Sequence, residues 1–403
     1  MPDSLLNPVK MKKLNIGLFG FGVVGEGIYR VLSEKPQLNT KIKKIVIKHP
    51  GKKRNAPKHL FSTDAHEILN DEAIDVVVEL IDDAEAAFEI VKNAMNKGKS
   101  VVSANKKMIA EHHLELIDLQ RKNNVSFLYE AAVCGSVPIL RNLEEYYDND
   151  LLNYINGIVN GSTNYILTKM KYENESYENA LKSAQENGFA ESNPALDVEG
   201  TDAAYKLTII VLHAFGKLIR PQDILVKGIT ALKSQDFRYA AEKGFIVKLI
   251  AGCSIDERTK QLIPTVLPTF VNNSQSLGLV NNEYNGVLIG SALADEQFLY
   301  GKGAGRYPTS SAVLSDISAL RYDYKYELRK GIGNGFHGNY PGAKKFYIGF
   351  HPDEKVDLAI FETIDELYKS KNYEYVTGTI QLDRLKNSGL ADNKNVSVIA
   401  YSE

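Results

Sequence analysis

One short segment, GFAESNPALDVEGTDAAYK at residues 188–206, carries several acidic side chains and ends on a lysine. Lys206 lies four residues after Asp202 within a predicted helix, so the two side chains share one helical face. Carboxylates close to a lysine can bind a substrate ammonium group, hold the lysine in place and keep it charged until it gives up its proton. The acidic residues of the segment are Glu191, Asp197, Glu199 and Asp202. The pattern therefore indicates a site that supplies a proton.

Three other interpretations fit the same segment. A carboxylate and a lysine four residues apart form an ordinary ion pair at the start of many helices. A lysine on an otherwise apolar helix can also extend its ammonium group to solvent. Clustered carboxylates can hold a divalent metal ion, but no histidine joins them here and ligand spacing alone decides nothing.

A second lysine lies in a suggestive place. Lys106 follows the apolar run SVVSAN, and ligands of open parallel sheets bind at the carboxyl ends of such strands. Reduction of a carbonyl by hydride transfer leaves an alkoxide that must be protonated, so the site needs an acid and a cation near the oxygen. Lys206 and Lys106 are the candidates for these two roles.

A glycine motif after the first apolar run indicates a dinucleotide. The run KLNIGLF predicts a strand and leads into GFGVVG, which precedes a helical pattern. Gly20 would permit a tight turn, Gly22 would let the backbone approach a pyrophosphate, and Gly25 would let the helix pack on the strand. The phosphates would lie at the positive end of that helix. A glycine turn that merely links strand and helix is the alternative.

The loop after the second predicted strand is basic. An NAD site usually places an acidic residue about 20 residues after the glycines, and this loop has the run KHPGKKR instead. The cationic candidates for a 2′-phosphate are Lys48, Lys52 and Arg54. A solvated basic loop is the alternative interpretation. We predict that NADP(H) is preferred and that NAD(H) is the second cofactor.

Strand and helix patterns alternate over the first 140 residues. After the first strand, further strands are predicted at residues 42–48, 75–81, 100–104 and 126–132. This alternation favours an α/β fold with a Rossmann-type, doubly wound parallel sheet over residues 1–140, which residues from about 300 to 320 would complete.

The pattern changes after about residue 140. The run TDAAYKLTIIVLHAFG (201–216) predicts a buried helix, and short alternating runs over 245–295 predict an antiparallel sheet. We therefore predict a second, α+β domain over residues 141–320 for substrate binding and catalysis. Residues 321–403 predict a small third α+β unit with a helix around 357–371.

Composition favours a small-molecule partner. The 403 residues carry 48 Lys plus Arg against 50 Asp plus Glu, and this balance gives no reason to expect nucleic acid or an anionic membrane as partner. No segment has the roughly 18 apolar residues of a membrane span, and the first 20 residues lack the apolar run of a signal peptide. Cys134 and Cys253 are expected to be reduced and buried. We expect a cytoplasmic enzyme.

Five runs together resemble the successive signatures of homoserine dehydrogenase, over residues 14–318. They are GFGVVG, SANKK, YEAAVCGSVPIL, VNGSTNYIL and GFAESNPALDVEGTDAAYK. The last run has the spacing E-x5-D-x4-D-x3-K, which is highly specific to that family, whereas the glycine motif is not. The resemblance implies reversible NADPH-dependent reduction of L-aspartate 4-semialdehyde to L-homoserine, in threonine and methionine biosynthesis.

The resemblance also implies roles for individual residues. Lys206 matches the family's proposed proton donor, Lys106 the lysine between nicotinamide and substrate, and Asp197 an acid beside the reacting hydroxyl. The matches to substrate contacts are Glu191, Asp202, Gly161, Ser162 and Thr163. The matches to the cofactor site are Phe21, Val23, Val24, Ser103, Gly303 and Gly305.

Three further family properties bear on this chain. A sodium-like cation would be bound by Glu130 and by the backbone carbonyls of Val133, Gly135 and Val137, which are oxygen ligands suited to a hard monovalent ion. A homodimer would form through the sheet of the middle domain. Many bacterial relatives end in an ACT domain that senses threonine, and residues 321–403 would be a divergent form of it. They lack its D-x-P-G-x-L turn after FYIGF, so feedback by threonine does not follow from the resemblance.

Two other functions fit parts of the sequence. A phosphate-dependent dehydrogenase of the same semialdehyde needs a thiol nucleophile with a nearby base, and Cys134 has no histidine close to it in sequence. A non-catalytic dinucleotide-sensing regulator would keep the glycine motif and use residues 321–403 as an interaction module. Such a regulator has no need for a lysine among carboxylates.

Overall fold

The chain forms two compact units in a computed structural model that describes residues 12–148, 151–333, 338 and 340–402. Unit one comprises Met1–Ser136 and Ala304–Glu327, and unit two comprises Val137–Gly303 and Leu328–Glu403. The expectation about the first 20 residues falls partly on residues 1–11, which lie outside the described residues. Within the described ranges, no helix combines the length and the apolar content that crossing a bilayer requires.

Unit one is built on a six-stranded parallel sheet. The strands are β1 (Leu14–Phe19), β2 (Thr40–Val46), β3 (Phe61–Ser62), β4 (Val76–Glu79), β5 (Ser100–Ser103) and β6 (Phe127–Leu128). Their order across the sheet is β3-β2-β1-β4-β5-β6, the order of dinucleotide-binding folds. The central strands are apolar runs with nearly every residue buried, as expected for a parallel sheet covered on both faces. The predicted parallel sheet is confirmed.

Twelve α-helices lie within the described residues. In chain order they are α1 (Val23–Glu34), α2 (His66–Leu69), α3 (Ala84–Asn96), α4 (Lys106–Asn123), α5 (Ile139–Glu145), α6 (Gly161–Tyr172), α7 (Tyr177–Glu186), α8 (Ala195–Val198), α9 (Thr201–Phe215), α10 (Ser234–Glu242), α11 (Arg306–Ala319) and α12 (Leu382–Asn387). Helix α9 is nearly all buried and ends at Gly216 in the left-handed conformation, as the sequence predicts.

Helix α11 returns to unit one late in the chain and packs against α1. The Ser310 hydroxyl donates to the Val24 carbonyl at 3.1 Å. A Cβ at Gly27 would lie 2.4 Å from Ser310 Oγ, so only glycine at this position allows the two helices to approach so closely.

Unit two contains a mixed sheet of ten strands within the described residues. They are β7 (Leu152–Ile158), β8 (Leu225–Val226), β9 (Phe245–Ile255), β10 (Leu262–Asn272), β11 (Tyr284–Ser291), β12 (Asp295–Lys302), β13 (Ala343–Phe350), β14 (Phe361–Lys369), β15 (Glu374–Gln381) and β16 (Ser397–Tyr401). The order is β12-β11-β7-β9-β10-β16-β13-β15-β14, with β8 beside β10. The strands from 245 to 302 pair antiparallel, which confirms that part of the predicted pattern.

The C-terminal strands extend the sheet of unit two. Strand β16 pairs in parallel with β10 through Thr269 with Ala400 and Phe270 with Tyr401. The apolar side chains of β13, β15 and β16 share one buried cluster with β8 and β10. Residues 321–403 thus contain strands of a larger sheet, and their role as a separate module stays a prediction.

Two local predictions are wrong. Residues 357–371 were expected to contain a helix, but Phe361–Lys369 is strand β14, which pairs with β15 with two irregularities in register. It lies at the edge of the sheet and most of its side chains are exposed, so no buried face imposes a period of two on the sequence. The strand expected at 126–132 is limited to Phe127–Leu128, because a single 3-10 turn follows at Glu130–Ala132.

Candidate active site

The glycine turn between β1 and α1 has the backbone that the motif predicts. Gly20 has a φ of +92°, and a Cβ there would lie 2.7 Å from the Leu80 carbonyl oxygen. A Cβ at Gly25 would lie 2.7 Å from the Gly20 carbonyl oxygen, so the helix could not pack so near the turn. Side chains are excluded at both positions by backbone atoms, which cannot move aside cheaply.

Gly22 marks an open surface at the start of α1. A Cβ at Gly22 would meet nothing within 4 Å, and the following Val23 is 58% exposed although it is apolar. The unpaired N–H groups of the first helical turn and the helix dipole favour an anion at this end. The turn therefore fits a pyrophosphate, which would approach Gly22 and the amides of α1. Val24, whose carbonyl is bonded to α11, is half-buried beside them.

Aromatic contacts link the basic loop to this turn. The Arg54 guanidinium carbon lies 5.7 Å from the ring centroid of Phe61, and that ring lies 5.1 Å from the ring of Phe21, edge to face. Arg54 also donates to the Lys52 carbonyl at 2.8 Å. Lys48 and Lys52 are exposed. Arg54 is thus held two aromatic rings away from the glycine turn.

A buried carboxylate lies at the carboxyl ends of β4 and β5. Glu79 is fully buried and accepts two hydrogen bonds, from Ser103 Oγ at 2.6 Å and from the Ile81 amide at 2.7 Å. Asn105 donates its amide to Ser103 Oγ and its side-chain N–H to the Ile81 carbonyl, both at 3.1 Å. These bonds tie the two loops together where ligands of such sheets bind.

Sequence reasoning missed Glu79, although a signal was present. The carboxylate interrupts the apolar strand run DVVVELI, and a charged residue in such a run is seldom buried without a partner. Through Ser103 and Asn105 it supports the start of α4, because the Asn105 side chain caps that helix at the Met108 amide, 3.0 Å away. Lys106, half-buried, is the first residue of α4.

Glu79 should make the stability of the protein depend on pH. Burial raises its pKa to about 7. The fold therefore favours the protonated carboxyl, and this stabilising contribution is complete below pH about 4.5 and lost as the pH rises through about 7. Between pH 5 and pH 8, we expect the free energy of unfolding of the unmodified protein to fall by about 2 kcal/mol more than that of Glu79→Gln. Urea unfolding of both proteins across this range measures the difference.

The control for this prediction is Glu72→Gln, which changes an exposed glutamate of the same unit. Its pH dependence should follow that of the unmodified protein. Parallel curves for the unmodified protein and Glu79→Gln would show that Glu79 is already ionised at pH 5.

Two aspartates of the acidic segment and Lys206 belong to one hydrogen-bonded group in unit two. Lys206 Nζ lies 2.7 Å from Asp202 Oδ2 and donates to the Val159 carbonyl at 2.7 Å. The two side chains are only 12% and 7% exposed, so their attraction is screened little by solvent. Asn160 joins the group by donating to Asp202 Oδ2 at 2.8 Å and to Asp197 Oδ1 at 2.7 Å.

Asn160 is the residue of this group that sequence reasoning missed. Its side-chain oxygen caps α6 by accepting from the Thr163 amide at 2.9 Å, while its two side-chain N–H bonds reach the two aspartates. An asparagine before a helical pattern is a common N-cap, so the sequence offered only a structural reason for it. Its two acidic partners lie 37 and 42 residues further along the chain.

The turn at the start of α6 is tightly packed. A Cβ at Gly161 would lie 2.7 Å from the Glu283 carbonyl oxygen, so the position requires glycine. Ser162 donates to the Phe189 carbonyl at 2.5 Å, and the Thr163 hydroxyl donates to the Asn160 carbonyl at 3.1 Å. These bonds hold the turn beside the aspartates.

Glu191 stays outside the hydrogen-bonded group in the part of the chain that the structure describes. Its side chain is exposed, and its backbone carbonyl accepts from Gln185 at 3.0 Å. The structure therefore brings Asp197, Asp202 and Lys206 together and leaves Glu191 at the surface.

Comparison with known proteins decides the family. The family described as "Homoserine dehydrogenase" matches residues 138–318, and the family described as "Homoserine dehydrogenase, NAD binding domain" matches residues 20–130. The chain is 36% identical to the homoserine dehydrogenase of Bacillus subtilis, over 81% of this chain and 77% of that protein. It is also 36% identical to that of Lactococcus lactis, over 80% and 77% of the two chains. The chain belongs to the homoserine dehydrogenase family.

Solved structures of homoserine dehydrogenases share the fold. A structure from Thiobacillus denitrificans has a TM-score of 0.82 and 28% identity, covering 98% of this chain and 99% of that one. A hyperthermophilic archaeal homoserine dehydrogenase in complex with NADPH has a TM-score of 0.66 and 26% identity, covering 78% of this chain and 99% of that one. Homoserine dehydrogenases are oxidoreductases of the CH–OH group, and this chain carries the family's NAD-binding domain.

Family membership leaves the two alternative functions without support. Cys134 is fully buried, as expected from the sequence, so its thiol is shielded from a substrate. Buried structural cysteines are inert as nucleophiles. The match over both homoserine dehydrogenase regions equally disfavours a regulator that kept only the dinucleotide unit.

Other residues matched to this family fall in both units. Glu130, Val133 and Gly135 lie in unit one, and Val137 is the first residue of unit two. Gly303 ends the first segment of unit two, with a hypothetical Cβ 2.0 Å from the Asn285 side chain, whereas Gly305 precedes α11 with a φ of +113°. Gly305 is favoured by its positive φ and Gly303 by the close Asn285 side chain, and the contact of both with a cofactor stays a prediction.

Proposed function

We propose that the protein catalyses the reversible, NADP(H)-dependent conversion of L-aspartate 4-semialdehyde to L-homoserine. The hydrogen-bonded group of Lys206, Asp202, Asn160 and Asp197 carries this proposal, because it joins a charged proton donor to carboxylates suited to an amino-acid substrate. The names of the relatives support it.

Lys206 is the proposed proton donor. An ammonium group has three N–H bonds, and those of Lys206 reach Asp202 and the Val159 carbonyl, which leaves one for a substrate oxygen. When bound, the nicotinamide supplies the hydride to the carbonyl carbon. Lys206 gives a proton to the carbonyl oxygen as the C–O double bond becomes single, and in the oxidation its neutral amine takes that proton back.

The neighbouring carboxylates would hold the substrate and the lysine. Asp202 holds the Lys206 side chain in place, and Asp197 would lie beside the reacting hydroxyl. Glu191, with Asp202, would bind the substrate ammonium group, and the turn of Gly161, Ser162 and Thr163 would line the substrate. Lys106 would help to polarise the carbonyl.

Most of the proposed cofactor contacts belong to unit one. Gly20, Phe21, Gly22, Val23, Val24 and Gly25 would hold the pyrophosphate and its surroundings, with Ser103, Gly303 and Gly305 as further contacts. The contact chain from Arg54 through Phe61 to Phe21 supports a 2′-phosphate site formed with Lys48 and Lys52, so that NADP(H) is preferred and NAD(H) is the second cofactor. A relative solved with NADPH agrees with this choice.

A monovalent cation, a dimer and a location complete the proposal. Glu130 is buried, and its backbone amide donates to the Asp316 carboxylate at 2.9 Å. A cation close to these two acidic residues would be favourable. Gly135 turns the backbone with a φ of +52°, in the segment whose carbonyls at Val133, Gly135 and Val137 would bind a sodium-like ion. Replacement of sodium by choline in the assay buffer tests this ion.

We further propose a homodimer and a cytoplasmic location.

A side-by-side assay tests the proposed function. Purified protein should oxidise L-homoserine with NADP, more slowly with NAD, and should consume NADPH when given L-aspartate 4-semialdehyde. Absorbance at the NADPH wavelength reports both directions, and parallel samples with threonine report any feedback. Lack of turnover of homoserine with both cofactors would overturn the proposal, and equal or better efficiency with NADH would overturn the cofactor preference alone.

A further inference from the structure

Strand β9 buries a lysine that the proposed reaction does not use. Lys248 is fully buried, and its ammonium group donates to Asn164 Oδ1 at 3.1 Å, to Asn281 Oδ1 at 3.2 Å and to the Val280 carbonyl. All three acceptors are uncharged. Burial lowers the pKa of Lys248 to about 7, so the fold bears a cost for keeping a lysine here. A residue kept only for packing would be apolar.

The number of donors fits the number of acceptors. In its protonated form the Lys248 side chain has three N–H bonds, one for each of the three acceptors around it. Glutamine offers two N–H bonds and methionine none. Lys248→Met would therefore leave the buried Asn164 Oδ1 without its lysine donor, which is costly.

Asn164 extends this network to a whole segment. Its side-chain oxygen accepts from Lys248, while its side-chain nitrogen lies within hydrogen-bond distance of the carbonyls of Val280, Asn282 and Tyr284, at 2.9 to 3.2 Å. The Asn282 amide donates to the Thr168 hydroxyl of α6 at 3.0 Å. Residues 280–284 are thus held along the first two turns of α6.

Residues 280–284 fix the position of the turn at the start of α6. A Cβ on Gly161 would lie only 2.7 Å from the Glu283 carbonyl oxygen. Residues 280–284 therefore pack directly against the start of α6. Asn160 caps that helix and holds Asp197 and Asp202. We infer that Lys248 is a positioning residue, which orients the Asn160 turn and through it the aspartates and Lys206. This inference rests on the proposed function for its kinetic readout.

Lys248→Met in the full-length protein tests the inference. We expect kcat/KM for homoserine to fall about 10- to 100-fold, because the aspartates lose their fixed orientation, while the dissociation constant for NADPH changes less than twofold. A purely structural lysine would lower the melting temperature and leave kcat and KM of the folded enzyme unchanged, and that result would overturn the inference.

Lys227→Met is the matched control. Lys227 is another buried lysine of unit two, but it donates to the carbonyls of Leu390 and Asn393 in the C-terminal segment. Its loss should cost stability without the fall in kcat/KM. An equal fall in both variants would show a general effect of losing a buried lysine and would overturn the inference.

Two further measurements keep the test decisive. Hydrogen exchange of the peptides covering 160–168 and 280–284 should speed up at least about tenfold in Lys248→Met and stay unchanged in Lys227→Met, whatever the enzyme's activity. If the protein does not turn over homoserine, the proposed function is overturned, but the hydrogen-exchange measurement still tests the role of Lys248. If Lys248→Met does not fold, Asn281→Ala removes one acceptor and should give a smaller change in the same direction, and unchanged exchange in that variant overturns the inference.

Discussion

Lys206→Ala should lower kcat for homoserine oxidation by about 10³-fold, within the range that general acid–base catalysis usually contributes. The reason is the position of its ammonium group, which is fixed by Asp202 and the Val159 carbonyl and keeps one N–H for the substrate. The alanine variant should still bind NADPH with a dissociation constant within twofold of the original, because the glycine turn belongs to unit one. Stopped-flow or steady-state absorbance and a fluorescence titration measure the two quantities.

Lys182→Ala controls for the loss of a lysine in the same unit. Lys182 has a side chain 74% exposed on α7, so its removal should leave kcat unchanged. A near-normal rate in Lys206→Ala would remove Lys206 from the role of proton donor. A lost rate together with lost NADPH binding would indicate instead that the variant is misfolded.

Arg54→Glu should raise KM for NADPH about 10- to 100-fold and change KM for NADH by less than threefold. A charge-assisted hydrogen bond to a phosphate contributes about 1.5 to 3 kcal/mol, and the new carboxylate would repel the same group. Arg54 is half-buried and packed over Phe61, so it is better ordered than the exposed Lys48 and Lys52. Initial rates with both cofactors, at one ionic strength, give the ratio.

Lys122→Glu makes the same charge change at an exposed position in the last turn of α4. It should leave both KM values unchanged apart from a small, salt-dependent effect. If Arg54→Glu affects NADPH and NADH equally, the basic loop does not read the 2′-phosphate.

Much of the fold could be predicted because local patterns carry it. The apolar runs of β1, β4 and β5 and the spacing of Gly20, Gly22 and Gly25 specify strand, turn and helix within a few residues. Helix α9 could be predicted equally well, because its apolar stretch ends at Gly216. Strand β14 was missed because an exposed edge strand takes its conformation from a partner that lies elsewhere in the sequence.

Only the part of the site that depends on local sequence spacing could be predicted. Asp202 and Lys206 share a helical face, so their contact followed from spacing alone. The bridge by Asn160 joins residues about 40 positions apart, and the burial of Glu79 and Lys248 depends on how strands and loops pack. No local pattern contains that information. The resemblance to a known family supplied the roles, and those roles stay predictions.

The return of α11 to unit one bears on how the chain folds during synthesis. Ser310 fills the space beside Gly27, so the face of α1 that α11 covers stays open until residues 304–327 have been made. At the usual translation rate this takes roughly 10 to 40 s after residue 136 has been added. During that time the nascent first unit lacks the helix that covers α1, so it can reach its final packing only after most of the chain has been synthesised.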